Sequence, residues 1–224
     1  MESIVISLGG SVVLSEDINH EYFKNFSTII RKIATKYKVY LVIGGGKTAR
    51  HYINIGRKQN FSEEQLDTIG IKATRLNASF LTILLTQQDR DIPKTTNEAI
   101  NCDNAIVVMG GTTAGHSTDY VGAELAYKTN ACSYIIATNV DGVYTKDPRK
   151  FSDAKHLSSV SIDTLLNQYG SSWESAGKNM VIDGPAMQLI KDHQIKTFVI
   201  DGRDIQQLVN IINNNEFKGT IIKN

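Results

Sequence analysis

Cysteine is scarce in this chain. Cys102 and Cys132 are the only two in 224 residues, and they form no Cys-x-x-Cys pair. They read as reduced thiols packed as small hydrophobes. Proline is scarcer than usual at three residues, and no Pro-rich linker, repeat or low-complexity tract divides the chain. An excess of one charge is also missing. Lys plus Arg number 24 against 23 Asp plus Glu, for a net charge of +1, and the basic residues are scattered. A general electrostatic affinity for nucleic acid or for an anionic membrane is therefore not expected. The apolar runs are far too short to span a bilayer. The opening "MESIVISLGG" has neither a basic n-region nor a cleavage site, so the expected compartment is the cytoplasm. Without a signal peptide, the glycosylation-type matches Asn25-Phe26-Ser27 and Asn77-Ala78-Ser79 carry no meaning.

What is present is ordinary in amount and ordered in pattern. Hydrophobic residues make up 41% and charged ones 21%, as in a globular protein able to bury a large core. Short Ile/Val-rich runs recur, each closed by Gly or a polar turn: "IVISLGG", "VYLVIGGG", "AIVVMGG", "YIIATNVDG" and "TFVIDG". Continuous apolar runs of this kind suit strands buried on both faces of a parallel sheet. Between them lie stretches of helical spacing, at about 21–37, 47–59, 62–88, 119–129, 161–169, 183–192 and 204–213. Strands alternating with helices imply βαβ crossovers. The fold expected is α/β, a three-layer α/β/α sandwich with a mainly parallel central sheet. Residues 1–224 read as one domain whose two lobes meet near residues 112–119.

Glycine clusters stand at three strand ends: Gly9-Gly10, Gly44-Gly45-Gly46 and Gly110-Gly111. On a parallel sheet they would converge on one edge, where backbone N–H groups and helix N-termini can approach phosphate oxygens. Such convergence reads as a polyphosphate site. Two better-known motifs do not fit the same residues. Gly46-Lys47-Thr48 is the tail of a P-loop, but the required earlier glycine is replaced by Leu41. Gly44-x-Gly46-x-x-Ala49 looks like a dinucleotide fingerprint, yet Asp67 lies in a stretch of helical spacing and not at the end of a second strand.

"SLGGS", "VIGGGKTAR", "GGTTAGHSTDYVGAELA" and "TNVDGVYTKDPRK" occur in an order and spacing that resemble the amino-acid kinase superfamily, and within it the uridylate (UMP) kinases of archaeal type. The resemblance covers essentially the whole chain. It implies an enzyme that transfers the γ-phosphoryl group of Mg2+-bound ATP to UMP and assembles as a hexamer, a trimer of dimers. Residues 1–118 would form mainly the acceptor lobe and 119–224 mainly the ATP lobe. Mg2+ would travel with ATP, and no residue is expected as a dedicated metal ligand.

The resemblance also implies site residues. Ser7, Leu8, Gly9, Gly10, Ser11, Gly45, Arg50, Thr138, Asn139, Tyr144 and Asp147 would bind ATP, with the flat face of Tyr144 against adenine. On the residues alone, Tyr144 and Asp147 could equally be a surface turn before Pro148. Gly44, Asp67, Thr112, Thr113, Ala114, Gly115, His116, Ser117 and Thr118 would hold UMP. Asp119 opens the next helix, where it could cap the N-terminus, organise the transferring phosphoryl, or do both. Many superfamily members carry lysine where this chain has Ser7, so Lys47 is expected to supply the catalytic charge and Arg50 to support it. The α-phosphate of UMP is already anionic, so no general base is needed. Two other readings remain at this point. One is a superfamily kinase for another acceptor, such as isopentenyl phosphate or acetylglutamate; the other is a uridine-nucleotide sensor without catalysis.

Overall fold

The computed structural model describes residues 1–13, 20–148, 150–172 and 181–224. In chain order the elements are β1 (Ser3–Leu8), α1 (Gly10–Val13), α2 (His20–Ile33), β2 (Lys38–Ile43), α3 (Gly46–Lys58), α4 (Glu63–Thr86), α5 (Thr96–Ile100), β3 (Ile106–Met109) and α6 (Thr118–Lys128). They continue with β4 (Ser133–Thr138), β5 (Val143–Tyr144), β6 (His156–Leu157), β7 (Ser159–Ser161), α7 (Ile162–Tyr169), α8 (Gly184–Asp192), β8 (Thr197–Asp201), α9 (Gln206–Ile212) and β9 (Thr220–Lys223).

Seven strands form one sheet in the order β3-β2-β1-β4-β8-β9-β7. All neighbours are parallel except β8 and β9. The continuous apolar strands carry core on both faces, as their sequence requires. Val5, Val42, Met109, Tyr134 and Ile136 face one layer, together with Val121, Leu125, Met187 and Ile190 of α6 and α8. Ile4, Ile6, Leu41, Ile43, Ile135 and Ile200 face the other, with Phe26, Ile30, Leu81 and Leu208 of α2, α4 and α9. This is the expected α/β/α sandwich. No helix among the described residues is long and apolar enough to cross a membrane.

Register decides where the site can be. Leu8 pairs with Ile43 and Ala137, Val42 with Met109, and Ala137 with Ile200. The residues that follow these positions, Gly9, Gly44, Gly110, Thr138 and Asp201-Gly202, therefore line up along one carboxyl edge. In sheets of this kind that edge is where ligands bind.

Elements absent from the sequence reading are short or peripheral. The β5–β6 pair is a separate two-stranded ribbon with Tyr144 opposite His156. Strand β9 reverses direction beside β8, and β7 then pairs parallel with β9 at the sheet edge.

Candidate active site

The two glycine loops after β1 and β2 lie backbone against backbone. A Cβ on Gly10 would stand 2.1 Å from the Gly46 nitrogen and 2.4 Å from the Gly44 oxygen. Gly46 also has φ +62, a left-handed conformation that disfavours any side chain. These glycines are thus required by close packing at the sheet edge, independently of any ligand. The packing brings α1 and α3 to start side by side there. Lys47 and Arg50 project from the first turns of α3 as exposed side chains, at the rim of this junction.

Helix α4 is the platform for the loop after β3. Its start is fixed by a capping box: Ser62 Oγ accepts from Gln65 N at 3.2 Å and Gln65 Oε1 accepts from Ser62 N at 2.9 Å. Along the face turned to the sheet edge, Asp67 Oδ2 accepts from Gly115 N at 2.7 Å. Thr74 Oγ1 accepts from Gly111 N at 2.7 Å. Arg75 donates from Nε to the Gly111 oxygen at 3.1 Å and from a terminal nitrogen to the Thr112 oxygen at 3.2 Å. Asn77 Nδ2 donates to the Gly44 oxygen at 2.8 Å. The structure therefore brings together Asp67 and Gly115, which lie 48 positions apart in sequence. Thr74, Arg75 and Asn77 were missed because on a helical wheel they are indistinguishable from ordinary polar positions.

The loop ends at the N-terminus of α6. The cap there is Ser117, whose Oγ accepts from Tyr120 N at 2.9 Å. Asp119 sits inside the first turn and is released from capping. Its Oδ1 accepts instead from Ser7 Oγ at 2.7 Å. Ser7 itself is buried, with 2% of its surface exposed, so its hydroxyl is committed to this contact. Tyr134, fully buried, donates to the Asp119 carbonyl at 2.8 Å and holds that turn from below.

A second carboxylate stands close by. Asp183 caps α8, accepting from Ala186 N at 3.1 Å, and also accepts from Ser117 Oγ. Burial first, then the charge of Asp183, raises the Asp119 carboxyl to about 7, while the Ser7 hydrogen bond works in the opposite direction. Asp183 is raised too, by burial, against hydrogen bonds from Ser117 and Ala186 and the nearby charge of His116. Paired carboxylates at the mouth of a sheet edge are held at a cost in repulsion, a recurrent mark of functional sites. In the sequence Asp183 only opens a stretch of helical spacing. Nothing in its local sequence says that it faces Asp119, 64 positions away along the chain.

Across the same edge, Gly9 N donates to the Ala137 oxygen at 2.8 Å and Gly202 N to the Thr138 oxygen at 2.7 Å. Thr138 and Asn139 follow, Thr138 partly buried and Asn139 exposed. Arg203 donates to the Asn139 oxygen at 3.3 Å and pairs with Asp201 at 2.6 Å. Tyr144 and Asp147 lie further along, both partly buried. The Asp147 oxygen accepts from Lys150 N and Phe151 N, each at 3.0 Å, closing the turn after Pro148. Of the residues expected to hold UMP, Thr113, Ala114 and His116 are exposed, while Thr112, Gly115, Ser117 and Thr118 are partly buried.

The model of the family described as "Amino acid kinase family" matches residues 2–201. The chain belongs to the amino acid kinase family. Among curated amino acid kinases it is 42% identical to the uridylate kinase of Methanocaldococcus jannaschii over 225 residues, covering 98% of this chain and 99% of that one. It is 40% identical to the uridylate kinase of Thermoplasma acidophilum over 224 residues, covering 99% and 96%. Among solved members, the uridylate kinase from Archaeoglobus fulgidus superposes with a TM-score of 0.83 at 38% identity, over 98% of this chain and 99% of that one.

Proposed function

We propose that this protein is a UMP kinase, transferring the γ-phosphoryl group of ATP to the α-phosphate of UMP to give UDP and ADP, a step of pyrimidine nucleotide synthesis. The observation that carries it is the convergence at one carboxyl edge. The glycine junction, Asp119 with Ser7, and the acceptor loop braced by Asp67 stand there beside the strand end that carries Thr138 and Asn139. Near-full-length identity to uridylate kinases supports the acceptor. ATP lies over Ser7, Leu8, Gly9, Gly10, Ser11 and Gly45, with its nucleoside toward Thr138, Asn139, Tyr144 and Asp147. UMP lies against Gly44, Asp67 and residues 112–118. In this reading residues 1–118 carry the acceptor and the glycine loops under the ATP phosphates, and 119–224 carry the ATP nucleoside.

The transition state places negative charge on the transferring phosphoryl, and positioning plus neutralisation carries the catalysis. Lys47 and Arg50, exposed on the first turns of α3, are the cations we assign to those phosphates. Asp119 orients the positive groups around them. Among the described residues no group of three or more His, Cys, Asp or Glu side chains could hold a metal ion. The hard oxygens of Asp119 and Asp183 would suit Mg2+ as outer partners, and the ion, carried mainly by ATP, would supply charge neutralisation. The enzyme works in the cytoplasm as a homo-oligomer, a hexamer made of dimers. Leu76, Phe80 and Ile83, exposed at 65%, 48% and 48% and one turn apart along α4, form the apolar face for a second copy.

A coupled ADP-release assay over UMP, CMP, dUMP and isopentenyl phosphate tests the reading. UMP should give the highest kcat/KM. Equal values for UMP and CMP would remove the uracil specificity, and ADP release with isopentenyl phosphate alone would move the chain to another branch of the family.

A further inference from the structure

One carboxylate, that of Asp141, joins the ribbon formed by β5 and β6 to the segment before β9. Asp141 Oδ1 accepts from the Tyr144 hydroxyl at 2.7 Å, and Asp141 Oδ2 is paired with Lys218 Nζ at 2.7 Å. Lys218 comes from the segment just before β9, 77 positions from Asp141. The Asp141 carbonyl also lies 3.0 Å from His156 Nε2, and the His156 ring meets the Tyr144 ring edge-on, with centroids 5.3 Å apart and planes at 79°. Between Asp141 and Tyr144, Gly142 has φ +141, and a Cβ there would come within 2.5 Å of both His156 Nε2 and Thr220 Oγ1. Val143 N donates to Thr220 Oγ1 at 2.8 Å, so β9 holds the turn from the other side.

We infer that Asp141 is the positioning residue of the nucleoside pocket: it ties down the Tyr144 hydroxyl, so that Tyr144 meets the purine with its ring face and not with its hydroxyl. The inference rests on the proposed placement of Tyr144 in the ATP pocket. A two-residue strand cannot by itself fix a ring, because the aromatic side chain keeps alternative rotamers at a partly buried site. The tether removes that freedom before ATP arrives, and preorganisation of this kind appears as tighter binding. The hydroxyl hydrogen is already spent on Asp141, which leaves the π-face as the recognition surface. The tether is charge-assisted. Burial works against the Asp141 charge, but hydrogen bonds from Lys218 and Tyr144 outweigh it and hold the carboxyl below its usual range. The same hydrogen bond to Asp141 raises the Tyr144 phenol. Lys218 serves as the electrostatic anchor, and its reach ties the ATP-side ribbon to the last strand of the fold.

The test is steady-state kinetics on the full-length enzyme with Asp141→Ala, Asp141→Asn, Tyr144→Phe, Tyr144→Ala and the double variant Asp141→Ala/Tyr144→Phe. Asp141→Ala should raise KM for ATP about tenfold, the scale of one charge-assisted hydrogen bond, with KM for UMP within about twofold of wild type. Asp141→Asn, which still accepts from the phenol but lacks the charge, should recover part of the loss. In the Tyr144→Phe background, Asp141→Ala should add less than about a further twofold, because both changes remove one interaction. A normal KM for ATP in Asp141→Ala, while Tyr144→Ala raises it, overturns the inference and leaves the pocket reading standing. A normal KM for ATP in Tyr144→Ala overturns the pocket reading and the inference together. Should Asp141→Ala fail to fold, Tyr144→Phe decides alone: it keeps the ring and loses the tether, and an unchanged KM for ATP rejects the proposal.

Discussion

Ser7 Oγ donates to Asp119 Oδ1 at 2.7 Å, joining the end of β1 to the first turn of α6 across 112 positions of chain. The contact places a carboxylate where the strand ends open, and it opposes the rise in carboxyl pKa that burial and Asp183 impose. Ser7→Ala removes the donor, so the Asp119 carboxyl should rise further and be more protonated at neutral pH. We expect kcat at pH 7 to fall roughly 3- to 10-fold, with partial recovery at pH 9. A pH–rate profile checks this: the acid limb should move to higher pH. A profile that falls without shifting would mean that Ser7 serves only packing.

Asp119→Asn separates activity from stability. Because Ser117 supplies the cap, the substitution leaves the helix start intact. Turnover should fall far more than KM changes for either nucleotide. The folded carboxyl titrates at about 7 against an ordinary 3.8, so the folded state holds its proton more tightly than the unfolded chain. Wild-type stability attributable to this group is therefore highest below pH 4, declines as pH rises from about 4 to 7, and is lowest above 7. Asparagine never ionises. Above pH 7 the variant should melt at a higher temperature than wild type, with no gain at pH 4. Melting curves at both pH values measure the difference.

Asp67 and Gly115 give a prediction about one substrate only. With the carboxylate gone, Gly115 N loses its partner and the acceptor loop loses one of its ties to α4. Asp67→Ala should raise KM for UMP about tenfold and leave KM for ATP within about twofold, as expected for a partly buried donor left unpaired beside the acceptor. Equal changes in both constants would show a general loosening of the edge.

Lys47 carries the charge question that Ser7 leaves open. If it reaches the transferring phosphoryl, Lys47→Ala should cost on the order of 10²–10³ in kcat, the scale of one charge-stabilising donor. Single-turnover kinetics reads the chemical step directly. A loss of only a few-fold would pass the role to Arg50 and the backbone amides.

Sequence alone determined the layers of this protein. Apolar runs such as those of β1, β2 and β4 can only be strands covered on both faces, and the helical spacing between them, as in α3 and α4, forces crossovers that make the sheet parallel. Glycine at the strand ends marked the functional edge, because tight backbone approach leaves a compositional trace. Tertiary structure decided the rest. The reversal at β9, the Asp119–Asp183 pair, the ties of Thr74 and Arg75 to the loop after β3 and of Asn77 to the loop after β2, and the pairing of Asp141 with Lys218 all join residues whose local sequence does not name the partner. Periodicity reports which side of an element is buried, and it carries no information about which polar group on another element will meet it. That pairing is set by sheet order and register, which exist only once the whole chain has folded.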